Sequence, residues 1–370
     1  EAQKRACTRT GNMCAEQDAI KAQLQVLTPE VSSDVMDKAI VEVAQTYDIV
    51  KQGKYYYDKS DFLTERKMAA KIAELACVKP SKEAEIEKAF IEWQQENSMI
   101  LSPRQAEAVR NLKYRISIVT GGPGTGKTTC LRAIMDVYHK VWPSEHILLM
   151  APTGLAAKRM AESTKTNSAT IHKACCLVPA DNNSGFVAQS ECRICGFVGI
   201  DEMSMVGEHL FAFAIDAVLN SPSTRIVLLG DTDQLAPVSR GDVLRDLIQC
   251  SVIKTVRLDV NYRQGSTSTI TDASIKIREN RAYSGMTRNL KFDDEFNFIS
   301  VTNPDQKTEA DQILSRVVEE YQKGVAKYGV KGTIILTPTH FDKGTATGYL
   351  CKNRVNAVIQ SVVNPKTDTK

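Results

Sequence analysis

Apolar and polar positions change rhythm several times along this chain. Val35, Ile40, Val43 and Ile49 recur at roughly helical spacing behind the capping candidates Ser32, Ser33 and Asp34. Amphipathic patterns over 62–78 and, after Pro80, over 81–95 predict two more helices, with Tyr55-Tyr56-Tyr57 as a short strand between. From Ile116 the pattern becomes short apolar, β-branched runs, each followed by a glycine or polar turn and then a helical period. Runs at 116–120, 146–150, 197–200, 225–229 and 256–258 predict strands. Periods opening with Leu131, Ile134 and Met135, and again over 155–163, predict the helices between them. Leu177-Val178 and Phe186-Val187 flank the turn Asp181-Asn182-Asn183-Ser184-Gly185, which predicts a protruding hairpin. Further on, 311–323 and 352–362 predict helices and 333–336 a strand.

Strands alternating with helices predict an α/β fold with a mostly parallel sheet. Three segments are expected: a helical N-terminal accessory domain over 1–98, an α/β domain over 99–264, and linker helices opening a second α/β unit over 265–370. Composition changes this picture little. Of 370 residues, 42% are hydrophobic and 25% charged, as in ordinary globular chains, and the net charge of +3 neither demands nor excludes a nucleic-acid partner. No apolar run has the length of a membrane span. The ten cysteines form no compact framework and are expected reduced, in the cytoplasm. Cys175, Cys176, Cys192 and Cys195 are candidates for a four-thiolate zinc site, against the plainer reading of small buried pairs.

Candidate chemistry begins where the first strand stops. Gly121-Gly122-Pro123-Gly124-Thr125-Gly126-Lys127-Thr128-Thr129 carries G-x-x-x-x-G-K-[ST] between a strand and a helix. Gly122, Gly124 and Gly126 let backbone N–H groups, including that of Thr125, turn around an anion, and the helix N-terminus with Thr129 adds donors. Lys127 supplies a compact charge for β and γ phosphates, and the Thr128 hydroxyl suits Mg2+. ATP and Mg2+ are the expected ligands. The apolar strand 197–200 ends in Asp201-Glu202, a metal carboxylate followed by a candidate general base. Gln234, in the polar turn after 225–229, is a candidate γ-phosphate sensor, and Arg263 a candidate arginine finger. Thr153, at a strand end opening into a helix, suits a second anion such as a DNA phosphate. Ser102-Pro103-Arg104-Gln105 reads as a capping box, or the Gln105 amide reads adenine instead, the two tasks being rivals for one amide. The three tyrosines at 55–57 either stack on bases or pack a core.

In order and spacing these motifs resemble the RecD-type branch of superfamily 1 DNA helicases, the bacterial RecD-like (exonuclease V alpha-subunit-like) ATP-dependent helicases. The resemblance covers nearly the whole chain, from about Gly11 to Gln360. It rests on 101–109, 121–129, 151–160, Thr170-Ile171-His172, 201–206, 230–238, 261–264 and 334–360. It implies a RecA-like P-loop NTPase domain, an incomplete second RecA-like domain, and 5′ to 3′ movement on single-stranded DNA with duplex unwinding in repair or recombination. It assigns Gln105 to adenine, Lys127 and Thr128 to phosphate and Mg2+, Asp201 and Glu202 to metal and base, and Gln234 and Arg263 to the γ-phosphate. Thr153, Thr170 and His172 fall on the single-strand track, and 177–193 resembles the pin that splits the duplex. Two departures are Ala236 in place of a proline and Cys351-Lys352-Asn353 before the last helix. The family's later Thr/Ser-x-His-Lys-x-x-Gly stretch and terminal arginine motif have no counterpart, so the chain is expected to be a fragment. A cytoplasmic monomer acting at single-strand/duplex junctions is expected. The helicase part of a conjugative relaxase, and a nucleotide-gated DNA-binding module without unwinding, are the alternatives.

Overall fold

The structure is a computed structural model. It describes residues 2–46, 48–179, 186–189, 195–219, 221, 223–262, 269–278, 293, 296–301, 306–337 and 350–363. The chain divides into two compact units, Glu1–Thr267 and Ser268–Lys370.

The first unit opens with α1 (Ala2–Thr10), β1 (Cys14–Glu16), α2 (Gln17–Leu27), α3 (Ser33–Thr46), β2 (Ile49–Gln52) and β3 (Tyr55–Asp58). The strands form an antiparallel sheet in the order β1-β3-β2. Helix, strand, two helices and a two-stranded wing is the arrangement of a winged helix. Its small core holds Ala6, Cys7, Ala15, Ile20, Ile40 and Tyr56. Tyr56 is thus a core residue, and Tyr57 packs edge-on against Phe62, with ring centroids 5.3 Å apart. A three-residue strand such as β1 is too short for its alternation to stand out in the sequence.

Two long helices follow, α4 (Lys59–Cys77) and α5 (Glu83–Asn97), then α6 (Pro103–Arg110). The large sheet is built from β4 (Ile116–Gly121), β5 (Ile147–Ala151), β6 (Ser168–Thr170), β9 (Phe197–Ile200), β10 (Arg225–Gly230) and β11 (Lys254–Leu258). Between β4 and β5 runs α7 (Lys127–Val141), between β5 and β6 α8 (Gly154–Thr164), and after β6 the short α9 (Ile171–Ala174). The hairpin strands β7 (Leu177–Pro179) and β8 (Phe186–Ala188) pair antiparallel, as expected, and their turn, 180–185, lies outside the described residues. After β9 comes α10 (Glu208–Val218), and after β10 α11 (Val243–Gln249).

All six sheet strands run parallel in the order β11-β4-β10-β9-β5-β6. β10 separates the glycine-loop strand β4 from the acidic strand β9, the RecA-like arrangement. Every residue of β4 and β10 is buried, as a strand covered on both faces requires. One face carries Ile86, Phe90 and Trp93 of α5 with Leu131, Ile134 and Tyr138 of α7. The other carries Met68 and Ile72 of α4 with Phe211 and Ile215 of α10. Residues 59–97 therefore supply a helix to each face of the sheet, and the expected segment 1–98 does not stand apart from it. Arg225 ties this together at the foot of β10. Its guanidinium donates to Leu112 O (2.8 Å), Ser223 O (3.3 Å) and Ser81 Oγ (2.7 Å) and lies 4.1 Å from the Trp142 ring centroid.

In the second unit the described α-helices are α12 (Thr269–Arg278), α13 (Gln306–Tyr328) and α14 (Lys352–Val363), with a 3-10 turn at Val330–Gly332 and Arg354 Nη2 2.6 Å from Asp311 Oδ1. The strand expected at 333–336 does not form. Ile334 and Leu336 are exposed, and no ladder partner exists for them among the described residues.

Candidate nucleotide site

Parallel strands deliver their following loops to one edge, and ligands bind where the strand order reverses. Here the chain leaves β4 toward β5 on one side, while β11 flanks β4 on the other. At that edge lies a cleft of about 730 Å3, lined by 122–129, Thr153, Arg159, Ser163, Asp201, Glu202, Gln234 and Tyr262, among others. It gathers all seven loop residues that the motif predicts, together with both strand-end acids and the glutamine turn.

The loop keeps its shape through local bonds. Thr125 Oγ1 donates to Gly122 O at 2.8 Å, and Tyr262 N donates to Gly124 O at 2.8 Å. Gly124 and Gly126 have φ of +80° and +85°, a region in which a Cβ is strained. Lys127 Nζ donates to Gly121 O (2.5 Å) and Gly122 O (3.1 Å), so the ammonium lies folded over the loop. Behind it, α7 starts at Lys127 and turns its N-terminus to the cleft.

The two acids share a strained, poorly solvated corner. Asp201 Oδ1 accepts from Glu202 N at 2.8 Å. Glu202 has φ +54°, a left-handed conformation that costs a non-glycine residue roughly 1–2 kcal/mol. Burial pushes the Asp201 carboxyl above its ordinary range, opposed by the Glu202 N–H and by Lys127. Burial, then the Asp201 charge, raises Glu202, while Lys127 and Arg159 oppose the rise. Glu202 Oε2 is buried without a partner among the described residues. Two desolvated carboxylates, one with an orphaned oxygen, beside a lysine and the Thr128 hydroxyl fit a hydrated divalent cation held between protein and phosphate. Among the described residues no group of three or more His, Cys, Asp or Glu could hold a metal alone.

Gln234 is at the cleft, with its N–H bonded to Asp231 O (3.2 Å) and Ser204 Oγ 3.5 Å from its Oε1. Gln105 is placed differently. Its Oε1 accepts from Ser102 N (3.1 Å), its N–H donates to Ser102 Oγ (3.3 Å), and it is not among the cleft-lining residues. The capping box holds this amide, with Nε2 turned toward Gly126. Thr153 lines the cleft and caps α8, accepting from Ala156 N at 3.2 Å. Thr170 caps α9 and, like His172, does not line the cleft. Arg263 lies outside the described residues, and so does Cys192 of the proposed thiolate set. Cys175 and Cys195 are buried, with Cys175 Sγ 3.9 Å from Met150 Sδ. Tyr262 and Arg159 are cleft residues that the sequence did not single out. The aromatic four residues past the β11 exit was the available signal for Tyr262.

A RecA-like sheet with a phosphate loop, an acidic strand end and a glutamine turn on one edge defines a P-loop nucleotide-binding protein. The family model described as an AAA domain matches residues 100–302, more than half of the chain, and the chain belongs to this AAA domain family. Its sequence is similar to RecD-type helicases. The ATP-dependent RecD2 DNA helicase of Deinococcus radiodurans is 34% identical over 175 residues, which are 47% of this chain and 23% of that protein. The RecBCD enzyme subunit RecD of Mycolicibacterium smegmatis is 34% identical over 168 residues, 40% of this chain and 30% of that one. The chain thus spans less than a third of the length of these two relatives. Among solved structures, the Pif1 helicase from Candida albicans aligns with a TM-score of 0.38 and 24% identity, over 60% of this chain and 55% of that chain. No helix among the described residues is long and apolar enough to cross a membrane.

Proposed function

We propose that this chain is the ATP-hydrolysing part of a DNA helicase that moves 5′ to 3′ on single-stranded DNA and opens duplex at junctions during repair or recombination. The observation that carries the nucleotide half is the single cleft shared by the glycine loop, Lys127, Thr128, Asp201, Glu202 and Gln234. Similarity to RecD-type helicases supports the DNA half.

The loop N–H groups and the α7 N-terminus bind the phosphates, and Lys127 exchanges its two carbonyl contacts for phosphate oxygens. Thr128 and Asp201 would hold Mg2+, which neutralises phosphate charge. Glu202, raised in pKa and aimed into the cleft, takes a proton from water. Gln234 reads the terminal phosphate, and Arg263 supplies a further cation to it. Tyr262 offers an aromatic face beside Gly126. The Thr153, Thr170 and His172 positions follow the single-strand track, and the 177–193 hairpin is the pin.

The test is ATP hydrolysis with and without single-stranded DNA, followed by unwinding of partial duplexes bearing a 5′ or a 3′ tail. In the full-length protein, DNA-stimulated turnover abolished by Lys127→Ala, and unwinding only from a 5′ tail, is expected; residues 1–370 alone should hydrolyse ATP far more slowly and should not unwind duplex. Turnover indifferent to both DNA and Lys127 would overturn the proposal. Unwinding from a 3′ tail would overturn the direction alone.

A further inference from the structure

The Gln234 turn is one end of a loop, 231–242, that is fastened at both ends; near Gln234, Arg245 Nη2 donates to Thr232 O (3.4 Å), Arg257 Nη2 lies 3.4 Å from Asp233 Oδ2 and Ser204 Oγ 3.5 Å from Gln234 Oε1, and 235–238 are largely exposed. At the near end Asp231 is buried, and its Oδ1 accepts from Asp233 N at 3.0 Å. At the far end Arg240 Nη1 donates to Asp61 Oδ2 at 2.5 Å, and Nη2 lies 3.5 Å from Oδ1. His209 Nε2 is 2.9 Å from the same Oδ1. Asp61 is 2% exposed. Backbone bonds complete the clamp: Glu208 N donates to Arg240 O (3.0 Å), and Gly241 N donates to Gly11 O (2.8 Å). A Cβ on Gly241, whose φ is +91°, would stand 2.6 Å from Glu208 Cβ, so the chain cannot pass here with a side chain. Between the two ends Leu235 and Val238 are 89% and 107% exposed and give the loop no packing of their own.

Over 235–238, where the loop has little packing of its own, its course is set by the segments that hold its ends. Two far-end contacts, Asp61 and Gly11, come from the N-terminal segment, which contributes nothing to the phosphate cradle itself. Asp61 sits in the first turn of α4, directly after β3 of the winged helix, where Asp58 caps α4 by accepting from Ser60 N at 3.0 Å. Any displacement of the winged helix therefore reaches Asp61 within one turn, and Arg240 with it.

We propose that Asp61, acting through Arg240, is a positioning residue for Gln234, so that recognition of the terminal phosphate depends on how the N-terminal winged helix is seated. The inference rests on the reading of Gln234 given above. It does not touch the cradle, so binding of a nucleotide lacking the γ-phosphate is independent of Asp61.

The test measures binding of ATPγS and of ADP, each with Mg2+, to the 370-residue chain. Wild type, Asp61→Asn, the pair Asp61→Leu with Arg240→Met, and Gln234→Ala are compared. The apolar pair removes both charges together, so no buried charge is left without its partner, and a thermal melt verifies that it folds. Expected in both Asp61 variants is an unchanged ADP affinity and a preference for ATPγS over ADP reduced about tenfold, the scale of one hydrogen bond to a charged group. Adding Gln234→Ala to Asp61→Asn should cost nothing further. A variant that retains the wild-type preference, or that loses ADP and ATPγS binding alike, overturns the inference. If Gln234→Ala leaves the preference intact, the reading of Gln234 fails and this inference falls with it. If Gln234→Ala removes the preference and both Asp61 variants keep it, the inference alone falls.

Discussion

Glu208 opens α10, is 5% exposed as a residue, and its Oε1 has no partner among the described residues. Burial is the largest cause pushing its pKa up to about 8. The charges of Glu65, Asp246 and Asp61 add to the rise, and Arg240 opposes it. The unfolded chain releases this proton near 4.5 and the folded chain near 8. Between those values the folded state holds the extra proton, so stability falls as pH rises through the window. Taken whole, that gap is worth about 4–5 kcal/mol. Water reaching the ionised carboxylate and local relaxation should reduce the realised loss to roughly 2–3 kcal/mol. Glu208→Gln keeps the shape and carries no charge at any pH. Thermal melts of both proteins from pH 5 to pH 9 are the assay. Near pH 5 the two should melt together. At pH 9 the variant should melt about 5–10 °C higher, taking about 2–4 °C per kcal/mol for a unit of this size. Glu65 and Asp246 are also raised by burial, so some slope should remain in the variant. A difference in melting temperature that is constant across pH would refute the assignment of the slope to Glu208.

Glu202→Gln should bind nucleotide normally and hydrolyse it roughly 10²-fold more slowly or worse, read by steady-state turnover beside equilibrium binding. In the unmutated protein the raised Glu202 pKa should put the acid limb of the rate profile above the ordinary carboxylate range, because the base works only when ionised; a limb near pH 4 would contradict this. Gly126→Ala places a Cβ at φ +85° and 2.5 Å from Gln105 Nε2, so it should cost about 1–2 kcal/mol by urea midpoint and weaken phosphate binding. Gln105→Glu preserves a capping-box acceptor and loses the amide donor. It should melt like wild type, while a nucleotide preference for adenine over guanine should drop if that nitrogen reads the base.

Legibility followed sequence distance. The glycine loop, Lys127 and Thr128 are contiguous, and their strand and helix adjoin them, so local pattern alone placed them. Asp201 and Glu202 were legible because an apolar strand ends in them, although the left-handed turn at Glu202 has no residue signature. The order of the sheet was not legible, because buried parallel strands read alike and nothing in β10 says that it lies between β4 and β9. Short segments misled in both directions. β1 has three residues and β6 three, below what alternation resolves, whereas 333–336 has the composition of a strand and no partner among the described residues.

Contacts across long separations were invisible for a different reason. Asp61 and Arg240 are 179 residues apart, and each taken alone reads as a surface charge on a helix or in a loop. Only the folded chain shows that the aspartate is buried and already paired. Gln105 marks the opposite limit, a residue whose local signals were complete and still did not settle its task. An amide has an oxygen and a nitrogen pointing different ways, and the sequence offered it two tasks as rivals. In the structure the oxygen closes the capping box and the nitrogen faces Gly126. The cap thereby fixes where the nitrogen points, so holding the helix start leaves that nitrogen outside the capping box and the two tasks are not exclusive.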